Sequence, residues 1–248
     1  KSSLTNALLQ KNRSIVTPIA GTTRDAIESD LLWYGRKINL VDTAGLRRLA
    51  KLKDNLEYYS LVRTKKAIQD SDIVLVLIDA KKGLCKQDKL IIGNVIKTGK
   101  GLILVVNKWD LIEKETSTMN DFKNQLTSGY KSLEHYPIIF ISALTTQRVH
   151  LVLENAWDLH KRCKNIISTK LLNQKLKYIL SKNPPSTDNG KAIQIKYAAQ
   201  VSTEPTVIAF YSNFPKRIKS HYRRYLENQL RKTFDLNGVS VVLSFRSK

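Results

Sequence analysis

The most specific chemistry in this chain lies in four consecutive residues. Asn107, Lys108, Trp109 and Asp110 follow directly on the apolar run Gly101–Val106. A carboxylate at Asp110 can accept two N–H bonds from the edge of a guanine base. Adenine offers no such pair there and would leave the charge unpaired. Asn107 can tie this loop to a phosphate loop, and the aliphatic stem of Lys108 can cover the base. A second polar tetrad, Asp42, Thr43, Ala44 and Gly45, follows the apolar run Ile38–Val41. Asp42 can hold the shell of a Mg2+ ion, and Gly45 can bring a bare N–H to a γ-phosphate. Read alone, the first tetrad is also a strand-ending turn and the second a common loop. Together, in this order, they describe a guanine-nucleotide site.

Three further segments fit the same site. Lys1 and Ser2 open the sequence. Lysine can reach β- and γ-phosphates, and the serine hydroxyl can ligate Mg2+. The motif normally needs glycines before its lysine, so that backbone N–H groups cradle phosphate; without them the pair reads equally as a helix cap. The sequence is therefore expected to start inside its own phosphate loop, with glycines and a central apolar strand preceding Lys1. The expected neighbours of that strand are Ile38–Val41 and Ile73–Ile78. Thr22 and Thr23 can each sense a γ-phosphate through Mg2+, and Thr23 is the better placed. Ser142, Ala143 and Leu144 follow the apolar run ending at Ile141, and a backbone N–H there can meet the base oxygen. Leu46 occupies the position where many GTPases place a water-orienting glutamine. It has no polar atom for that task, so intrinsic hydrolysis is expected to be slow.

These residues must be held at the ends of strands. Short apolar runs alternate with helical patterns: a helix from Lys1 to Leu9, paired strands Ala26–Trp33 and Lys37–Val41, and helix Glu57–Asp70. Strand Ile73–Ile78, helix Lys86–Thr98, strand Leu102–Val106, strand Pro137–Ile141 and helix His150–Lys164 follow. Continuous apolar strands between helices predict a mostly parallel α/β sheet covered on both faces, of the P-loop NTPase type. Beyond the basic stretch Lys161–Asn165 the pattern changes. Helix Leu171–Ser181, strands Ile193–Gln200 and Thr206–Tyr211, one long basic helix Pro215–Phe234 and strand Val239–Phe245 predict a small α+β unit with both helices on one face. The boundary is expected at 165/166, giving units 1–165 and 166–248.

Charge points to a partner. Over 248 residues, 42 Lys and Arg stand against 21 Asp and Glu, a net +21. Residues 166–248 hold 15 basic and 4 acidic side chains, a net +11 in a third of the length. A solvated helix face explains part of this. A polyanion explains more, because each phosphate contact releases counterions. Lys216, Arg217, Lys219, Arg223 and Arg224 are the candidate contacts. No apolar run approaches the roughly 18 residues of a membrane span. Cys85 and Cys163 form no motif; they are read as packing residues and fit a reducing, cytoplasmic setting. His135, His150, His160 and His221 lack metal-ligand spacing, so no zinc is expected.

Certain segments are specific enough to carry a family resemblance. Gly21-Thr22-Thr23-Arg24-Asp25, Asp42 through Arg48, Glu57-Tyr58-Tyr59-Ser60, Arg63-Thr64 and the Asn107–Asp110 tetrad resemble the bacterial Der (EngA) GTPase family. Asn183-Pro184-Pro185 and Ile195 through Val201 resemble that family's C-terminal KH-like domain. The family has two tandem GTPase domains before the KH-like domain, and the resemblance is to the second of them plus the tail. It implies GTP/GDP and Mg2+ as ligands and hydrolysis of GTP to GDP and phosphate. It also implies action in assembly of the large ribosomal subunit, and as partners that subunit or its rRNA and an upstream GTPase domain. Some members use K+ through a phosphate-loop asparagine, which would precede Lys1. RNA-binding KH domains clamp backbone with a Gly-x-x-Gly loop, but from Asn165 onward only Gly190 and Gly238 occur. The competing readings are another KH-bearing or tRNA-modifying GTPase, and an RNA- or ribosome-binding module whose nucleotide site is structural.

Overall fold

The computed structural model describes residues 1–11, 29–41, 56–113, 115–186 and 190–247. Strand β4 (Gly101–Asn107) is the axis of the first part. It lies between β3 (Ile73–Asp79) and β5 (Ile138–Phe140), parallel to both. Its residues alternate between two cores, as strand geometry requires. Leu102, Leu104 and Val106 pack with Ile92 and Val95 of helix α3 (Lys86–Thr98) and Leu126 of α4 (Thr118–Gly129). Ile103 and Val105 pack on the other side with Leu153 and Leu159 of α5 (His150–Lys164) and with Leu4 and Leu8 of α1 (Ser2–Lys11). Fully burying one such side chain is worth about 1.5–3 kcal/mol, so a strand apolar on both faces is fixed in place twice over. The expected α/β sheet with helices on both faces is what the chain forms.

An antiparallel hairpin, β1 (Ser29–Trp33) and β2 (Arg36–Leu40), turns at Tyr34 and Gly35, as expected. Residues 26–28, placed in that first strand by the sequence, lie outside the described ones. The hairpin does not pair with β3. Instead Ile38–Val41 and Ile73–Leu77 line a common cleft of about 750 Å3, completed by Leu4, Leu8, α2 (Leu56–Asp70) and Trp157. Among the described residues β3 is paired along one edge only.

The tail is built on a three-stranded sheet ordered β6 (Ile195–Thr203), β7 (Thr206–Ser212) and β8 (Val241–Ser247). β6 and β7 are antiparallel, and β7 and β8 are parallel. Helices α6 (Thr169–Lys182) and α7 (Ser220–Thr233) bury Leu172, Leu176, Leu226 and Leu230 in the cluster that holds Ala198, Ile208 and Phe210. The side-chain amide of Asn173 accepts from Ala198 N at 2.9 Å and donates to Ala198 O at 2.8 Å, standing in for a neighbouring strand.

Two expectations change here. The segment Pro215–Phe234 is not one helix. A short 3-10 turn, Pro215–Arg217, precedes an extended step at Ile218 and Lys219, and α7 then starts at Ser220. Ile218 is buried, and its carbonyl accepts from Arg223 Nε at 2.9 Å, so the break is held by packing and by a side-chain bond. The packing role expected of both cysteines holds for Cys163 alone. Burial pushes its thiol up to about 11. Cys85 is exposed and caps α3: its Sγ accepts from Asp88 N, and its own N–H donates to the Asp88 carboxylate.

The tail grips the first part at the N-terminal ends of β4 and β5. Gly238 O accepts from Leu102 N at 3.1 Å, Gly238 N donates to His135 O at 2.7 Å, and Ser240 Oγ donates to Lys100 O at 2.7 Å. Arg162 pairs with Asp235 at 3.0 Å. Gly99 ends α3 in the left-handed region at φ 77°, with Pro205 so close that a Cβ there would sit 2.0 Å from the proline ring. No helix among the described residues is long and apolar enough to cross a membrane.

Candidate nucleotide-binding site

The C-terminal ends of the parallel strands carry the residues expected to recognise a base, where open α/β sheets bind ligands. Asn107 is the last residue of β4, in register with Asp79 at the end of β3. Lys108 turns the chain in the left-handed region at φ 66°, a conformation that costs a non-glycine residue about 1–2 kcal/mol. The turn lets Trp109 drop into the core. It is 1% exposed and packs on Phe140 and Phe122 with centroids 4.4 and 5.5 Å away. With Trp109 fixed, Asp110 is held at the loop in the short turn Trp109–Leu111.

Asn107 Oδ1 accepts from Ala143 N at 2.9 Å, and Trp109 N donates to Ile141 O at 3.0 Å. The Asn107–Asp110 loop is thus tied to the loop after β5. Ser142 is fully buried. Its N–H donates to Gln147 O at 3.1 Å, and its Oγ accepts from Thr145 N at 3.1 Å. Of the three residues from which one N–H is expected to meet the base oxygen, Ser142 and Ala143 have theirs engaged within the protein. Leu144 is 83% exposed beside them.

Asp110 Oδ1 is buried and has no hydrogen-bond partner among the described residues. A buried carboxylate oxygen without a donor is costly, by about 1–3 kcal/mol or more for a charged group. The donor pair on a guanine edge would satisfy it, so the residues present fit that base.

Sequence reasoning missed Asp79. Its carboxylate accepts a charged hydrogen bond from Lys108 Nζ and another from Lys81 N at 2.9 Å. The Lys108 contact holds the Asp79 carboxyl below its ordinary value of 3.8. The signal was available: Asp79 ends an apolar run as Asp42 and Asn107 do. Any stability from this pair is complete above the ordinary carboxylate pKa and is lost as pH falls through the lowered one. An NMR titration should therefore find Asp79 depressed in the native chain and returned toward 3.8 in Lys108→Met. An unchanged midpoint would show that the lysine does not set it.

Lys1 and Ser2 stand at the start of α1, where Lys1 O accepts from Leu4 N and Thr5 N at 3.0 and 3.1 Å. Thr22, Thr23, Asp42, Gly45 and Leu46 lie outside the described residues. Of the expected Mg2+ ligands only Ser2 is therefore described, and no group of His, Cys, Asp and Glu among the described residues forms a metal cluster.

A parallel sheet with these loops at its carboxyl edge, followed by a basic α+β tail, defines a GTPase-type α/β domain joined to a KH-like domain. Residues 1–108 match the family model described as 50S ribosome-binding GTPase. Residues 167–246 match the KH-domain-like model of EngA bacterial GTPase enzymes, C-terminal. Along its whole length the chain is similar to proteins of the Der (EngA) GTPase family. GTPase Der of Amoebophilus asiaticus is 48% identical over 248 residues, covering 100% of this chain and 57% of that protein. GTPase Der of Clostridium tetani is 47% identical over 249 residues, with coverage of 100% and 57%. The chain thus spans a little over half the length of these curated relatives. Among solved structures, Aquifex aeolicus Era bound to GDP.AlF4- overlays with a TM-score of 0.49 at 22% identity, covering 100% of this chain and 88% of that one.

Proposed function

We propose that this chain is the nucleotide-switched and RNA-contacting part of a GTPase that acts in assembly of the large ribosomal subunit. The observation that carries the nucleotide half is the buried Asp110 Oδ1, without a hydrogen-bond partner among the described residues, beside the Asn107–Ala143 tie. In this reading Asp110 selects guanine, Lys108 covers the base, and the Ser142–Leu144 loop lines the base oxygen. Lys1 and Thr22 meet phosphate, and Ser2, Thr23 and Asp42 would hold Mg2+. When bound, that ion neutralises phosphate charge. Gly45 and Thr23 order around the γ-phosphate and relax without it, which is the switch. Leu46 leaves the attacking water unoriented, so hydrolysis is slow.

The basic residues supply the other half. Lys216 and Arg217 lie in the 3-10 turn, Lys219 immediately precedes α7, and Arg223 and Arg224 are its fourth and fifth residues. Lys216, Lys219, Arg223 and Arg224 are exposed. The test is co-sedimentation with large ribosomal subunits in GTP analogue and in GDP. More chain in the pellet with one nucleotide supports the reading, and equal pelleting in both overturns the switch. Neutralising Lys216, Arg217, Arg223 and Arg224 together should weaken association and flatten its salt dependence while nucleotide binding persists. Unchanged association across a salt series would assign these residues to packing.

A further inference from the structure

Charge within the tail is divided between its two ends. The described acidic residues lie toward the end that docks on the first part: Glu204 in the turn beside Pro205, Asp235 paired with Arg162, and Glu227 paired with Arg231. The opposite end gathers the start of β6 and the ends of β7 and β8. Register places Ile195 beside Ser212 and Tyr211 beside Arg246. Lys191, Lys196, Lys216 and Arg246 are all exposed here.

Aromatic rings occupy the same end. Tyr197 and Tyr211 are cross-strand neighbours, stacked at 4.3 Å between centroids and 11° between planes. Strand alternation puts them, with Arg246, on the face opposite Ala198, Phe210 and Phe245, which are the residues that meet the helices. Both rings are half-buried, and Arg246 stands exposed one strand over. A stacked pair in a core needs no explanation beyond packing. A stacked pair on the face opposite the helices, with small residues Ala199, Ala209 and Ser244 on one side and the cation Arg246 beside it, has the composition of a base-stacking surface.

We propose that this distal sheet face binds single-stranded RNA, with an unpaired base stacking on the Tyr197–Tyr211 pair and Arg246 and Lys196 neutralising the adjoining phosphates. The surface is distinct from the α7 residues above, and it rests on the ribosomal reading only for the choice of RNA as the polyanion. Every base has a π-face, so recognition is tolerant of sequence. The Tyr hydroxyls are not required, but the rings are.

The test uses the whole chain and a fluorescent ten-nucleotide unstructured RNA, read by anisotropy. Tyr197→Leu and Tyr211→Leu should each weaken binding about tenfold, and Tyr→Phe at either position should restore it. Arg246→Gln should lower the salt slope by about one. A duplex of equal length and an abasic strand should bind more weakly than the unstructured RNA. Native-like circular dichroism of each variant secures the comparison. Leucine variants that bind normally, an abasic strand that binds as well as the base-bearing one, or no binding by the parent chain would each overturn the proposal. Ribosome co-sedimentation is scored separately, so failure of the assembly reading leaves this result standing, and the reverse.

Discussion

Replacing Asp110 by Asn should weaken binding of GTP and GDP by roughly 2–4 kcal/mol, the cost of losing a charged acceptor at a buried site. At about 1.4 kcal/mol per tenfold, that is about 30- to 1,000-fold in Kd. The geometry makes the substitution informative. Trp109 is locked in the core by Phe140 and Phe122, and Asn107 and Trp109 N tie the loop to the strand beyond. The backbone should therefore hold its place while the acceptor changes. Asparagine also presents an N–H2 where guanine presents donors. Xanthine offers an acceptor at that position, so the variant should gain relative affinity for xanthine nucleotides. Isothermal titration with the four ligands decides it. Undiminished guanine affinity in Asp110→Asn would remove Asp110 from the base site.

The second large effect is expected far from the nucleotide. Arg231 is 8% exposed, in a helix whose other arginines face water. Its guanidinium donates to Leu236 O at 2.9 Å and Val239 O at 2.8 Å, pairs with Glu227 at 2.9 Å, and lies 5.9 Å from the Tyr136 ring of the first part. These bonds shape the turn that delivers Gly238 to Leu102 and His135. Gly238 itself is confined: its φ is 83°, and a Cβ there would approach Leu159 to 2.8 Å. Arg231→Ala takes its donor from Val239 O and from the partly buried Glu227 carboxylate, and leaves Leu236 O only the N–H of Val239 at 3.2 Å. The expected loss is about 2–4 kcal/mol in denaturant unfolding. Lysine should rescue only part of it, because it lacks the planar fork. Amide exchange should quicken first at Leu102 and Gly238. Exchange that stays slow at both would mean that the seam does not depend on Arg231.

Much of this architecture is written locally. β3, β4 and β5 are short runs with no polar interruption, and α3 and α5 fall where the periodicity and the flanking turn residues put them. The base loop is legible for the same reason, since its residues are contiguous and each has a definite chemical task. What escaped the sequence is tertiary. The Lys108–Asp79 pair joins residues 29 apart through a side chain. The break before α7 depends on Ile218 finding a core, and a helical pattern running through it gives no hint of that. Arg231 looks like any other cation on a basic helix until the turn after α7 closes over it. Thr22, Thr23, Asp42 and Gly45 were equally legible as motifs, but they fall outside the described residues.

The outer rim of β6 is closed by a side chain. Asn173 occupies the hydrogen-bonding positions of Ala198 there, which denies them to a foreign strand. An open rim next to apolar side chains is a template for strand addition, so Asn173 acts as a guard against edge-to-edge association of the tail. The net charge of +21 opposes such association as well, but only at low ionic strength, because salt screens it. In concentrated salt, where RNA contacts weaken too, the guard at Asn173 is what remains.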